Sequence, residues 1–203
     1  MKVTLFDYGV GNLHSLTKAL ESWGADVRIE SDPAVVLDSD ALVLPGVGAF
    51  GAAAERLAEV RQQLADALND GFPCLGICLG MQLLFDSSEE GAGEGLGVIP
   101  GRVRRLEARR VPHMGWNAVE ATKRDGDVDP LLTGVAGMVG YFANSYYCDP
   151  ADASDVIAWT EYEGVLFPSA VRRKRSWGVQ FHPEKSGDRG RALIRNFLQQ
   201  VRG

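Results

Sequence analysis

From Val3 to Ile77 short apolar runs alternate with stretches of helical periodicity, the pattern that a mostly parallel sheet with crossover helices produces. Val3 to Phe6 reads as the first strand. Behind the turn residues Gly9, Gly11 and Asn12, the apolar positions Leu13, Leu16, Leu20 and Trp23 fall at helical spacing and stop at Gly24, a residue suited to the left-handed position past a helix end. Val27 to Ile29 is a short second strand, and Asp32-Pro33 reads as an N-cap with proline in the first turn. Ala41 to Leu44 is the third strand, followed at once by the loop Pro45-Gly46-Val47-Gly48. Leu57, Val60, Leu64 and Leu68 share one stripe and predict a single helix from about Ala52 to Asn69, with Gly71 beyond its end. Phe72 to Ile77 predicts a fourth strand that runs straight into Cys78.

After Asp86 the glycine-rich segment GAGEGLGVIPG gives way to short strand-like runs: Arg102 to Leu106, Trp116 to Ala121, Val139 to Phe142, Val156 to Thr160, Val165 to Val171 and Trp177 to His182. A final helix from about Asp188 to Val201 carries Leu193, Ile194, Phe197, Leu198 and Val201 on its apolar face. The expected fold class is α/β, with a central mostly parallel sheet flanked by helices and an additional antiparallel β-rich portion in the second half. No repeat or long linker divides residues 1–203, so one domain is expected, a size that one hydrophobic core commonly serves.

Composition narrows the function classes. At 45% hydrophobic and 24% charged residues the chain is neither disordered nor collagen-like despite 24 glycines. With 21 basic against 27 acidic side chains the net charge is -6, the wrong sign for a general nucleic-acid or anionic-membrane binder. The basic run Arg172-Arg173-Lys174-Arg175 reads as the solvated tip of a hairpin turn. No membrane span or export signal is visible, since the apolar stretch Ala41 to Ala54 is broken by proline and glycines. Three cysteines make no disulfide scaffold and point to a reducing cytoplasm.

The strongest chemical signal is Gly76-Ile77-Cys78-Leu79-Gly80, a cysteine between two glycines at a strand-to-helix junction, the thiol counterpart of the serine nucleophile elbow. A nucleophile on such a sharp turn leaves little room for neighbouring Cβ atoms, and its place at a helix start favours thiolate over thiol. The plainer reading, a buried core thiol, fits Cys74 inside its apolar strand and Cys148 without a flanking motif. Of His14, His113 and His182, only the last ends an apolar run and is followed by Pro183 and Glu184, a carboxylate two residues away on the same extended segment that can orient the imidazole. A solvent-exposed His-Glu pair at a strand end is the alternative. His14 reads as a surface residue of a first helical turn and His113 as a loop residue. For the oxyanion of acyl transfer, the backbone N–H of Leu79 is one candidate donor, and the loop Gly46-Val47-Gly48, leaving the neighbouring strand at the same sheet end, supplies another. Without the cysteine that loop would be an ordinary turn, and it lacks the ending of a phosphate loop.

PGVGAFG, GICLGMQLLF and FHPEKSG, in this order across nearly the whole chain, resemble the class I, triad-type glutamine amidotransferases, whose fold is flavodoxin-like. DYGVGNLHSL, PHMGWN and YFANSYY narrow the resemblance to the glutaminase subunits of imidazole glycerol phosphate synthase. The resemblance implies that Cys78 attacks the side-chain amide of L-glutamine, that His182 moves the protons and that Glu184 orients His182. It places Gly46, Val47, Gly48 and Leu79 at the oxyanion site, Gln82 near the substrate, and Ser145 and Tyr146 against the glutamine backbone. It implies no cofactor and no metal, and it implies a partner, a cyclase subunit of (β/α)8 barrel fold that receives the ammonia. Tyr8, Asn12, Met114, Trp116 and Asn117, all expected in loops, are then the segments facing that partner, with a Trp116 that simply opens a core strand as the alternative. Asn144 stands where many relatives carry histidine, which bears on contacts beside the glutamine pocket. A glutaminase serving another synthase, or a binding subunit that no longer turns over, are the competing readings.

Overall fold

The computed structural model describes residues 1–9, 13–46 and 48–203, apart from the side chains of Pro33 and Ala34. The first half builds β1 (Lys2–Phe6), α1 (His14–Glu21), β2 (Asp26–Glu30), β3 (Ala41–Leu44), α2 (Phe50–Leu57), α3 (Arg61–Asn69), β4 (Cys74–Ile77) and the single-turn α4 (Leu79–Gln82). The second half adds the short β5 (Ser87–Ser88), β6 (Gly101–Arg105), β7 (His113–Ala121), β8 (Lys123–Arg124), β9 (Asp127–Val128), β10 (Met138–Asn144), β11 (Tyr146–Pro150), β12 (Val156–Tyr162), β13 (Val165–Arg173) and β14 (Ser176–Val179) before the long α5 (Gly187–Arg202).

One nine-stranded sheet, in the order β10-β7-β12-β13-β14-β4-β3-β1-β2, joins strands of both halves. Its five strands from β14 to β2 run parallel, and the other four extend it antiparallel, which is the mixed architecture the sequence leads one to expect. The fully buried β3 and β4 read as continuous apolar runs because both of their faces are covered. On one face Leu16 and Leu20 of α1 and Leu193, Ile194 and Phe197 of α5 pack with Val3, Val43 and Ile77. On the other, Phe50, Leu57, Leu64 and Leu68 of α2 and α3 pack with Phe6, Leu42 and Leu44. A smaller sheet, β11-β6-β5, lies in the second cluster through Val103 and Cys148. Among the described residues no helix is long and apolar enough to cross a membrane.

Several expectations change in detail. The helix predicted over Ala52 to Asn69 is two helices: Ala58 and Val60 donate three residues back, to Glu55 and Leu57, and break the α-helical ladder between them. Gly24 and Gly71 do end their helices in left-handed conformation, with φ of 80° and 97°. The segment after Asp32 is a 3-10 helix over Pro33–Asp38. Met114, Trp116 and Asn117 do not lie in loops, and nor does His113, because β7 begins at His113.

The basic run at the β13–β14 turn is also not a solvated tip. Arg172 pairs with the buried Asp129 at 2.9 Å and stacks over Trp177. Arg173 pairs with the buried Asp155 at 2.8 Å, Arg175 donates to the Gln200 carbonyl, and Lys174 to that of Asn69. Arg172, Arg173 and Lys174 line a cleft of about 640 Å³ with Thr122, Arg124, Asp129 and Asp155, and the cleft contains none of the predicted site residues. Its buried carboxylates already have partners, so the run fastens the hairpin to the rest of the fold.

Candidate active site

The β4–α4 junction sets Cys78 in a conformation that L-residues rarely adopt, φ 49° and ψ -104°. The glycines around it are explained by contact. A Cβ on Gly76 would run into the backbone of Gly80, and a Cβ on Gly80 would lie 2.7 Å from Leu44 Cβ and closer still to the Leu44 carbonyl. The cysteine backbone is fixed from the neighbouring strand, its N–H donating to the Val179 carbonyl at 2.7 Å. The helix it introduces is one turn long, so the amide groups nearest the elbow, rather than an extended dipole, are what α4 presents there.

His182 follows the end of β14, with its backbone extended ahead of Pro183 (φ -96°, ψ 98°) as the sequence requires. Pro183–Lys185 then forms a 3-10 turn, so Glu184 is not on an extended segment with the histidine. The turn still brings the two together: Nδ1 lies 2.8 Å from Glu184 Oε1, with the imidazole buried and the carboxylate only 10% exposed. The exposed-pair alternative is thereby ruled out. A Cβ built on Gly46 would lie 2.9 Å from Cys78 Cβ and 2.9 Å from His182 Cε1, so thiol and imidazole flank the same glycine. Burial by itself lowers the imidazole pKa, but hydrogen bonding to Cys78 and Glu184 and the charge of both partners outweigh it and raise the group to about 9.

The remaining predicted positions divide. Gly46 is half-buried between nucleophile and imidazole, Gly48 is exposed with a φ of 113°, and Leu79 is buried immediately after the elbow. Val47 lies outside the described residues. Gln82 is buried on α4, and its amide approaches the Tyr146 carbonyl at 3.5 Å. Asn144 donates to that same carbonyl at 3.0 Å, so the residue standing in place of histidine holds the Ser145–Tyr146 segment across from α4. Ser145 is itself pinned through its carbonyl by the Leu106 N–H.

The five segments expected to face a partner separate more sharply. Met114 and Trp116 are 64% and 59% exposed on the outward side of β7, with Trp116 edge-on to Tyr141 of the sheet-edge strand β10. Trp116 therefore does not serve the core. Asn117 turns the other way and donates to the Glu161 carbonyl, while Tyr8 is buried edge-on against Phe6, so neither offers an exposed anchor. Asn12 lies outside the described residues.

The other candidates take the plain roles. His14 is exposed at the start of α1. His113, which the sequence reads as a loop residue, is buried between Phe142 and Tyr162, and that burial lowers its pKa to about 4. Cys74 and Cys148 are fully buried, which pushes both thiols up. Among the described residues no three His, Cys, Asp or Glu side chains converge as a metal site would need.

Two polar residues were missed by sequence reasoning. Gln180, wholly buried, directs its amide Nε2 to Cys78 Sγ at 3.5 Å, and Ser186 hydrogen-bonds the backbone of His182. The available signal was a glutamine inside the apolar run WGVQFH, since a polar side chain in a buried strand requires a partner.

Comparison with known proteins gives the family of the chain. The sequence pattern of the family described as Glutamine amidotransferase class-I matches residues 4–201. The imidazole glycerol phosphate synthase subunit HisH of Halobacterium salinarum is 47% identical over 97% of this chain and 92% of its own length. The same protein of Methanothermobacter thermautotrophicus is 44% identical over 98% and 99%. In fold, a crystal structure of a glutamine amidotransferase superposes with a TM-score of 0.77 at 19% identity, covering 99% of both chains. A glutamine amidotransferase of Thermotoga maritima gives 0.71 at 16% identity, covering 99% of this chain and 97% of that one. Likeness of this extent leaves one assignment: the chain belongs to the class-I glutamine amidotransferases, among the HisH subunits of imidazole glycerol phosphate synthase.

Proposed function

We propose that this chain hydrolyses L-glutamine to glutamate and ammonia and delivers the ammonia to a cyclase subunit of (β/α)8 barrel fold. That partner uses it to form imidazole glycerol phosphate and an aminoimidazole carboxamide ribonucleotide from the phosphoribulosyl formimino precursor, a step of histidine biosynthesis in the cytoplasm. The observation that carries the reading is a strained elbow cysteine and a carboxylate-oriented imidazole meeting at one glycine.

The Cys78 thiolate attacks the carboxamide carbon. The resulting oxyanion is held by the Leu79 N–H and by the loop from Gly46 to Gly48. His182, as imidazolium, protonates the departing nitrogen, and ammonia leaves a thioester on Cys78. Imidazole then takes a proton from water, whose oxygen attacks the thioester; the C–S bond breaks to return the Cys78 thiolate beside the imidazolium, and the product acid leaves as glutamate with its proton lost to solvent. Glu184 holds Nδ1 so that Nε2 serves both proton transfers. Gln82, Ser145 and Tyr146 surround the amino-acid end of the substrate, and the exposed Met114 and Trp116 face the cyclase.

Glutamate release by the chain alone, then mixed with the cyclase partner plus its nucleotide ligand, tests the reading. Stimulation of at least about tenfold by the mixture is expected if docking shifts the population of active sites. A folded chain that releases no glutamate in either condition would overturn it.

The imidazole adds a pH signature. Because the folded pKa of about 9 is above the ordinary 6.5, protonated His182 stabilises the fold fully below about pH 6.5, and that contribution is lost as pH rises through about 9. The same loss removes the proton donor for ammonia, so kcat/KM should fall on a basic limb near pH 9. A limb at about 6.5 would show that Cys78 and Glu184 do not hold the imidazolium in solution.

A further inference from the structure

Ser186 occupies the N-cap position of α5, where a serine ordinarily turns its hydroxyl onto the free N–H groups of the first turn, an arrangement worth about 1 kcal/mol. Here it makes no such bond. Its Oγ instead donates to the carbonyl of His182 at 2.6 Å and accepts from the backbone N–H of Tyr141 at 2.9 Å. The N–H of His182 donates in turn to the Tyr141 carbonyl at 2.8 Å. The peptide groups on either side of His182 are thus both tied to Tyr141, one directly and one through the hydroxyl. Ser186 is buried, and the helix closes over it: a Cβ on Gly190 would approach Ser186 Cβ to 2.7 Å.

The partner in this arrangement matters. Tyr141 lies on the edge strand of the nine-stranded sheet, opposite the exposed Trp116. A side chain that leaves a sixteen-residue helix uncapped in order to bridge this strand and a histidine is placed for the histidine.

We propose that Ser186 is a positioning residue of the glutaminase site, its hydroxyl fastening the backbone of His182 to strand β10 so that the imidazole keeps its reach to Cys78. This rests on the function proposed above. Ser186 touches neither substrate nor the reacting atoms and acts through His182.

The test uses the full chain, alone and with the cyclase partner. Ser186→Ala is expected to lower kcat about tenfold with KM within about twofold, the pattern of a misplaced proton carrier. Ser186→Thr, which keeps a hydroxyl, restores most of the loss. Ser186→Gly removes the hydroxyl without crowding Gly190 and should behave like alanine. A residue with only a structural role would lower the unfolding temperature and leave kcat intact in the folded protein, and that result overturns the proposal.

Alkylation of Cys78 by iodoacetamide at about pH 7 supplies a readout independent of turnover, since Cys74 and Cys148 are fully buried with raised thiol pKa values. It should slow several-fold in Ser186→Ala and recover in Ser186→Thr, because the imidazole that activates the Cys78 sulfur drifts away. If the unaltered chain releases no glutamate, the glutaminase reading fails, and alkylation alone then decides for Ser186: equal rates in the unaltered and alanine chains sink it.

Discussion

Cys78→Ala is expected to reduce glutamate release at least about 10⁴-fold while leaving the fold in place, because every covalent step proposed here forms or breaks a bond to its sulfur. Removing any other single group leaves the nucleophile, and removing the nucleophile leaves only binding and oxyanion stabilisation. The structural consequence should be small. Alanine keeps the Cβ that the elbow already accommodates, and of the sulfur's two side-chain partners, Gln180 and His182, the histidine stays held by Glu184. Circular dichroism and thermal unfolding of the variant should therefore overlie those of the unaltered chain, and turnover that survives the substitution would falsify the assignment of the nucleophile.

Gly80→Ala should do the opposite. The added methyl would enter the backbone of Leu44 in β3, a fully buried strand with no flexible side chain to yield. Either α4 moves off the sheet or β3 bends, and overpacking of this kind costs about 3 kcal/mol or more. Out of a typical total of about 5–15 kcal/mol that is a large share. For a chain of this size the unfolding temperature should drop by roughly 6–12 °C. Urea unfolding should show a lower midpoint at unchanged slope. A variant as stable as the original would mean that α4 is not seated against β3. Together the two substitutions separate the roles proposed for one pentapeptide: chemistry for its cysteine, and for its second glycine the close approach of the strand beneath.

The parallel half of the sheet was legible because Val3 to Ile77 carries its own punctuation: apolar runs of strand length, helical stripes, and Gly24 and Gly71 at the stops. The break between α2 and α3 was not, since Leu57 and Leu64 stand seven residues apart and remain on one face whether or not a tight turn intervenes. The elbow could be read because glycine at Gly76 and Gly80 has a local steric cause. The backbone of His182 could be read because Pro183 dictates the conformation before it, whereas the 3-10 turn that brings Glu184 to the imidazole could not. His113 was misplaced for the converse reason. Its burial comes from Phe142 and Tyr162, rings far along the chain that no local pattern announces. Arg172 and Arg173 look solvated in a run of four cations, and only the tertiary fold brings Asp129 and Asp155 to them. Ser186 was hidden by its own plausibility, as a serine ahead of a helix is already accounted for as a cap.

The backbone angles of Cys78 have a meaning for selection. Glycine enters that region of conformational space freely, whereas a side chain there holds the chain away from its own preference. Relief of backbone strain alone would therefore favour glycine at this position, against the loss of the buried sulfur and its contact with Gln180. At position 78 the ease of the backbone and the need for a sulfur thus pull in opposite directions, and a single exchange for glycine would settle both at once.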